Sequence, residues 1–162
     1  MTSPAASAAL HCGIVTSRFV ATCEFYFEYF GFMPEQITAE YALLGRGDGS
    51  RLGVLRAGGD GQPAALVPPT RGSGLWLAFR CDDVDRLHER LVTDGVEIVG
   101  DPEFTISGER RCVARDPNGV LIYITQSQPL ETAVGEAAAA AMPSHFHHHE
   151  DQSHRIHRLS RH

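Results

Sequence analysis

The sequence contains no lysine; all 14 basic residues are arginine, which excludes a Schiff-base mechanism through a lysine amine. It has no apolar run approaching the ~20 residues of a membrane span. It also has no basic segment followed by a hydrophobic one: MTSPAASAALHCG is small and polar. Residues 1–8 therefore read as a flexible lead rather than a secretion signal, and the chain as cytoplasmic. No CxxC pair occurs, since Cys12, Cys23, Cys81 and Cys112 stand singly. That spacing argues against a disulfide framework or a zinc knuckle and for small buried hydrophobes. There is no basic stripe either. With a formal net charge of −6, the chain is a poor partner for nucleic acid or an anionic membrane.

What is present is an ordinary globular composition over 162 residues, enough for one domain or two small modules sharing a core. Residues 10–16, LHCGIVT, predict a strand. Ser17 then offers an N-cap, and Phe19, Cys23, Tyr26, Phe27 and Phe30 recur at helical spacing up to Gly31, a C′ stop. Strand-like pieces follow at 33–38, 41–45 and 51–56, the last two separated by the turn GRGDGS. After a Gly- and Pro-rich linker the order begins again. GLWLAFRC predicts a strand, Asp82 and Asp83 open a helix with Val84, Leu87, His88 and Leu91 on one face, and Gly95 stops it. VEIVG, RRCVAR and VLIYIT are three more strands. In the last, Val120, Ile122 and Ile124 take one side, and Leu121, Tyr123 and Thr125 the other. Neither unit of strand, helix and three strands can bury a sheet face alone, so the two must pack together or pair with another chain. His88 reads as a satisfied core or edge histidine.

The boundaries that follow are a lead at 1–8, a core at 9–127 and a tail at 128–162. Within the core, module one spans 9–57, the linker 58–73 and module two 74–127. The tail is Ala-rich and then His-rich, holding seven of the nine histidines. It reads as a mobile low-complexity extension. His147, His148 and His149, with His145, His154 and His157, are candidate divalent-metal ligands there.

LHCGIVTSRFVATCEFYFEYFGF and RCVARDPNGVLIYITQ together resemble the opening and closing segments of the glyoxalase I/bleomycin-resistance/dioxygenase (vicinal oxygen chelate) family, over about residues 8–127. The resemblance implies an α+β fold of paired βαβββ modules whose mixed sheets curl into a half-open cup, commonly completed in a homodimer. It also implies one metal ligand on the first and fourth strand of each module. In this sequence those positions match His11, Gly53, Trp76 and Tyr123, so one ligand of four survives. The expectation is a core without the standard chelate metal, with a divalent metal at a non-standard site including His11 kept open. A cup with Trp76 and Tyr123 in place of ligands, and volume opened by Gly53, suits a planar or aromatic small molecule. Phe104 and Arg111 are candidates for its rim.

Two functions compete at this stage. One is a binding protein of the antibiotic-resistance or natural-product-pathway type, and the acidity of the chain is compatible with a cationic ligand. The other is an enzyme: an isomerase, cyclase, lyase or dioxygenase-like protein. In a metal-free form His11 would move protons and Tyr123 would hydrogen-bond a developing oxyanion. In a metal form His11 would join other ligands.

Overall fold

The computed structural model describes residues 11–126; the lead at 1–8 and the tail from 128 onward lie outside the described residues. Both modules belong to one compact unit. Module one runs β1 (Cys12–Thr16), α1 (Phe19–Phe30), β2 (Met33–Ile37), β3 (Tyr41–Gly45) and β4 (Arg51–Arg56). Module two repeats this as β5 (Trp76–Arg80), α2 (Val84–Thr93), β6 (Ile98–Phe104), β7 (Arg110–Arg115) and β8 (Leu121–Gln126). Each makes a four-stranded mixed sheet, ordered β1-β4-β3-β2 and β5-β8-β7-β6, in which the first strand pairs parallel to the fourth. The linker carries one short 3₁₀ turn, Ala64–Leu66, and the Thr70 N–H donates to the Val15 carbonyl.

Alternation decides which side of each strand is core. Ile14, Ala42, Leu44, Leu52, Val54, Leu77, Cys112, Ala114, Ile122 and Ile124 are all buried, and their chain neighbours face the other way. Two of the four edge strands, β2 and β6, carry a proline and an irregular register, with one shift in β2 and two in β6. Proline removes a ladder donor where no partner strand exists to miss it, and the irregularity blunts an edge that could otherwise pair with another sheet.

The helix ends come from identifiable groups. Asp83 caps α2 by accepting the Arg86 N–H at 2.9 Å. Gly31, at φ 68°, closes α1. Ser17 does not cap α1. The residue before the helix is Arg18, whose N–H donates to the Thr16 hydroxyl at 2.8 Å while its carbonyl accepts from the Thr22 hydroxyl at 2.8 Å. Nor does Phe27 join the core: Phe19, Thr22, Phe25, Tyr26 and Phe30 do, and Phe27 is exposed. A helix with so many aromatics has no single apolar stripe, so spacing alone does not choose between Phe25 and Phe27.

The two modules meet through the helix-bearing sides of their sheets. Phe79 of β5 stacks on Phe30 of α1 at 4.3 Å between centroids and stands edge-on to Phe32 at 5.9 Å. A buried polar network joins the same units. Asp116 accepts from the backbone of Asn118 (2.8 Å) and Val120 (2.9 Å), from the Tyr26 hydroxyl (3.0 Å) and from the Asn118 side chain (3.1 Å). Asn118 also donates to Thr22 at 3.0 Å and accepts from Thr16. Burial, reinforced by the Asp116 carboxylate, pushes the Tyr26 phenol far above its ordinary pKa, so it stays a neutral donor. DPNG is thus a turn, as its residues predict, and also the fastening between modules.

Candidate functional site

With the helix-bearing sides shared, each sheet keeps one open face. On module two that face is built in rows across the strands. Trp76 pairs with Leu121, Ala78 with Tyr123, and Arg80 with Thr125. On the next strand Tyr123 meets Val113 and Thr125 meets Arg111. The Trp76 and Tyr123 rings lie 5.2 Å apart at 58°. The Arg111 guanidinium stands 5.5 Å over Tyr123 and donates to Glu103 at 2.6 Å. Trp76, the only tryptophan, is 58% exposed. The indole and the phenol together form the aromatic part of this open face.

Module one repeats the geometry with different residues. The parallel partner of Gly53 is Gly13, and His11 lies two residues before it; the partner of Tyr123 is Ala78, and Trp76 lies two before that. His11 and Gly53 are therefore the pseudo-symmetric counterparts of Trp76 and Tyr123. His11 is exposed just ahead of β1, on the alternation that sends Cys12 and Ile14 to the core and Gly13 away from it. Gly53 is not an opening. A Cβ there would stand 3.3 Å from the ring and hydroxyl of Tyr41, so the tyrosine fills the space that the missing side chain leaves. Tyr41 in β3 corresponds to Arg111 in β7, since each pairs two residues beyond the strand-four position.

The structure thus brings Trp76, Tyr123 and Arg111 together and leaves His11 and Gly53 on the other sheet. Phe104 is on neither open face. It pairs with Arg110, whose guanidinium sits 4.8 Å over its ring and bonds Asp85 of α2, and these line a separate cleft of about 330 Å³ with Gln126. His147, His148 and His149 lie outside the described residues. His88 is half-buried with its Nε2 3.4 Å from Asp101, at an angle that makes no hydrogen bond. Alternation also places on these faces two residues not singled out by their types, Tyr41 and Arg80, which share the parity of Leu43 and Trp76.

The donor set does not fit a chelated metal ion. Of the four matched positions, Gly53 has no side chain and is roofed by Tyr41, Trp76 offers only an N–H donor, and Tyr123 is a phenol packed against Trp76. Among the described residues no three His, Cys, Asp or Glu side chains stand where they could hold a metal. Among them, too, no helix is long and apolar enough to cross a membrane.

Comparison with known proteins agrees with this architecture. A glyoxalase/bleomycin resistance protein/dioxygenase family enzyme from Burkholderia phytofirmans PsJN is 23% identical, with a TM-score of 0.64 over 75% of this chain and 100% of that one. A glyoxalase-related enzyme from Fulvimarina pelagi is 23% identical, with a TM-score of 0.62 over 76% and 93%. TioX from Micromonospora sp. ML1 is 20% identical, with a TM-score of 0.55 over 77% and 100%. Comparison with curated proteins gives no match. The family description "Glyoxalase/Bleomycin resistance protein/Dioxygenase superfamily" matches residues 8–124, well over half the chain, and the protein belongs to that superfamily.

Proposed function

We propose that this protein binds a planar aromatic small molecule on the open face of module two, in the manner of a sequestering or natural-product-pathway protein. The observation that carries the reading is the pair of rings, Trp76 and Tyr123, held 5.2 Å apart with the indole more than half exposed. Rigid aromatic faces bind flat ligands at little entropic cost, and the phenol and indole each add one hydrogen-bonding end.

A homodimer completes the site in this reading. The two modules of one chain meet through Phe30, Phe32 and Phe79, and among the described residues the opposite face of each sheet takes no part in that contact. His11, Gly53 and Tyr41 of one copy would then stand over Trp76 and Tyr123 of the other. Sedimentation equilibrium checks this part: a monomer at every concentration would remove the module-one residues from the site.

The binding test is a calorimetric titration with naphthalene-2-methanol, on the parent and on His11→Ala, Trp76→Ala and Tyr123→Phe. Trp76→Ala is expected to lose most of the affinity. Unchanged affinity in all three variants would mean that the ligand site is elsewhere.

A further inference from the structure

The net charge of the chain, −6, points toward a cationic ligand. The open face of module two is organised the other way. Arg80 shares its strand and its side with Trp76, is exposed, and forms no ion pair among the described residues. It flanks Thr125 on one side, and Arg111 flanks Thr125 on the other. Two strand spacings separate the arginine backbones by about 10 Å, a gap their side chains can close over the Thr125 hydroxyl between them. Thr125 lies two residues, or about 7 Å, along β8 from the Tyr123 ring.

The acids on this face are displaced from that point. Glu103 is bonded to Arg111 from β6, Glu109 lies near Arg111 at the start of the same hairpin arm, and Glu97 is bonded to Arg115. All three belong to the β7–β6 side of a sheet ordered β5-β8-β7-β6, whereas Trp76 and Arg80 are on β5. The positive end of the row is therefore the end beside the aromatic pair. Arg111 also keeps a buried Nε–H without a hydrogen-bond partner, so its fork is not fully used by Glu103.

We infer that the ligand is an aromatic anion, its rings against Trp76 and Tyr123 and its carboxylate or phenolate between Arg80, Arg111 and the Thr125 hydroxyl. The inference rests on the aromatic site proposed above and adds the sign of the ligand's charge. A guanidinium pair suits a carboxylate in both charge and fork geometry, and among the described residues no acid is paired with Arg80.

The test uses three probes on one skeleton: 2-naphthoate, naphthalene-2-methanol and naphthalene-2-methylammonium. They are titrated at pH 7 into the full ¹⁵N-labelled chain, whose single tryptophan gives one indole N–H resonance that reports the site. The expected result is that 2-naphthoate binds at least tenfold tighter than the alcohol, the ammonium binds weakest, and the preference shrinks as salt rises. Arg80→Gln should abolish the preference while leaving the alcohol's affinity within twofold. If the alcohol moves the resonance but the carboxylate binds no tighter, or Arg80→Gln keeps the preference, the charge assignment is overturned and the aromatic site stands. If none of the three moves the indole resonance, the aromatic site fails and the assignment fails with it.

Discussion

Asp116→Ala should destabilise the protein by about 3–5 kcal/mol in urea unfolding, the largest single effect expected from any polar residue. Asp116 is 5% exposed and takes four donors on two oxygens. Truncation leaves the Tyr26 hydroxyl, on a residue with no exposed surface, and two backbone N–H groups without their acceptor. Each buried group left unpaired costs about 1–3 kcal/mol, less where water enters. The bond to Tyr26 also crosses 90 residues of chain, so its loss loosens one module from the other. A fall in the denaturant slope, or a second transition, is expected with it. Asp116→Asn keeps one acceptor for the turn and should cost less than half as much. If Asp116→Ala costs under about 1 kcal/mol, the network is not what fastens the modules.

Trp76→Ala should leave stability within about 0.5 kcal/mol and yet weaken binding of a planar aromatic by roughly 30- to 150-fold. The first half follows from exposure: a side chain 58% open to solvent forfeits little packing when it is cut back. The second follows from what the indole offers a ligand. Burying an aromatic face and stacking on it is worth about 2–3 kcal/mol together, and each 1.4 kcal/mol is tenfold in affinity. Tyr123→Phe keeps the ring and loses only the hydroxyl, so a stacking site loses no more than about tenfold there. An enzyme that used this phenol to hold an oxyanion would instead lose about 100-fold or more in kcat with little change in ligand affinity. Affinity and turnover measured side by side on Tyr123→Phe therefore separate binding from catalysis, and calorimetry replaces the indole signal that Trp76→Ala removes.

Much of this architecture was readable from residue order. The period-2 alternation of VLIYIT assigns Tyr123 to the open face because Val120, Ile122 and Ile124 need the core, and all three have no exposed surface. Asp83 and Gly95 bound α2 through chemistry local to the sequence. Phe104 fails for a physical reason. Two register shifts, one between Ile98 and Gly100 and one between Gly100 and Glu103, break the alternation along β6, so counting from Gly100, which faces the open side with Val113, gives the wrong side. Gly53 fails for another. A glycine announces missing volume, but only the fold brings Tyr41 across from the neighbouring strand to fill it. The Asp116 network joins residues about 100 positions apart, and nothing in DPNG distinguishes a free turn from one that holds two modules together.

If Trp76 and Tyr123 form an aromatic face in place of chelating ligands, the core holds no metal. Elemental analysis of the chain ended after residue 128, purified without a metal column, checks this, with the full chain measured beside it. The expected result is far less than one metal ion per shortened chain, with any metal found in the full chain lost together with the histidines of the tail. One tightly held ion per shortened chain would contradict it, because His11 would then have partners among residues assigned here to stacking and packing.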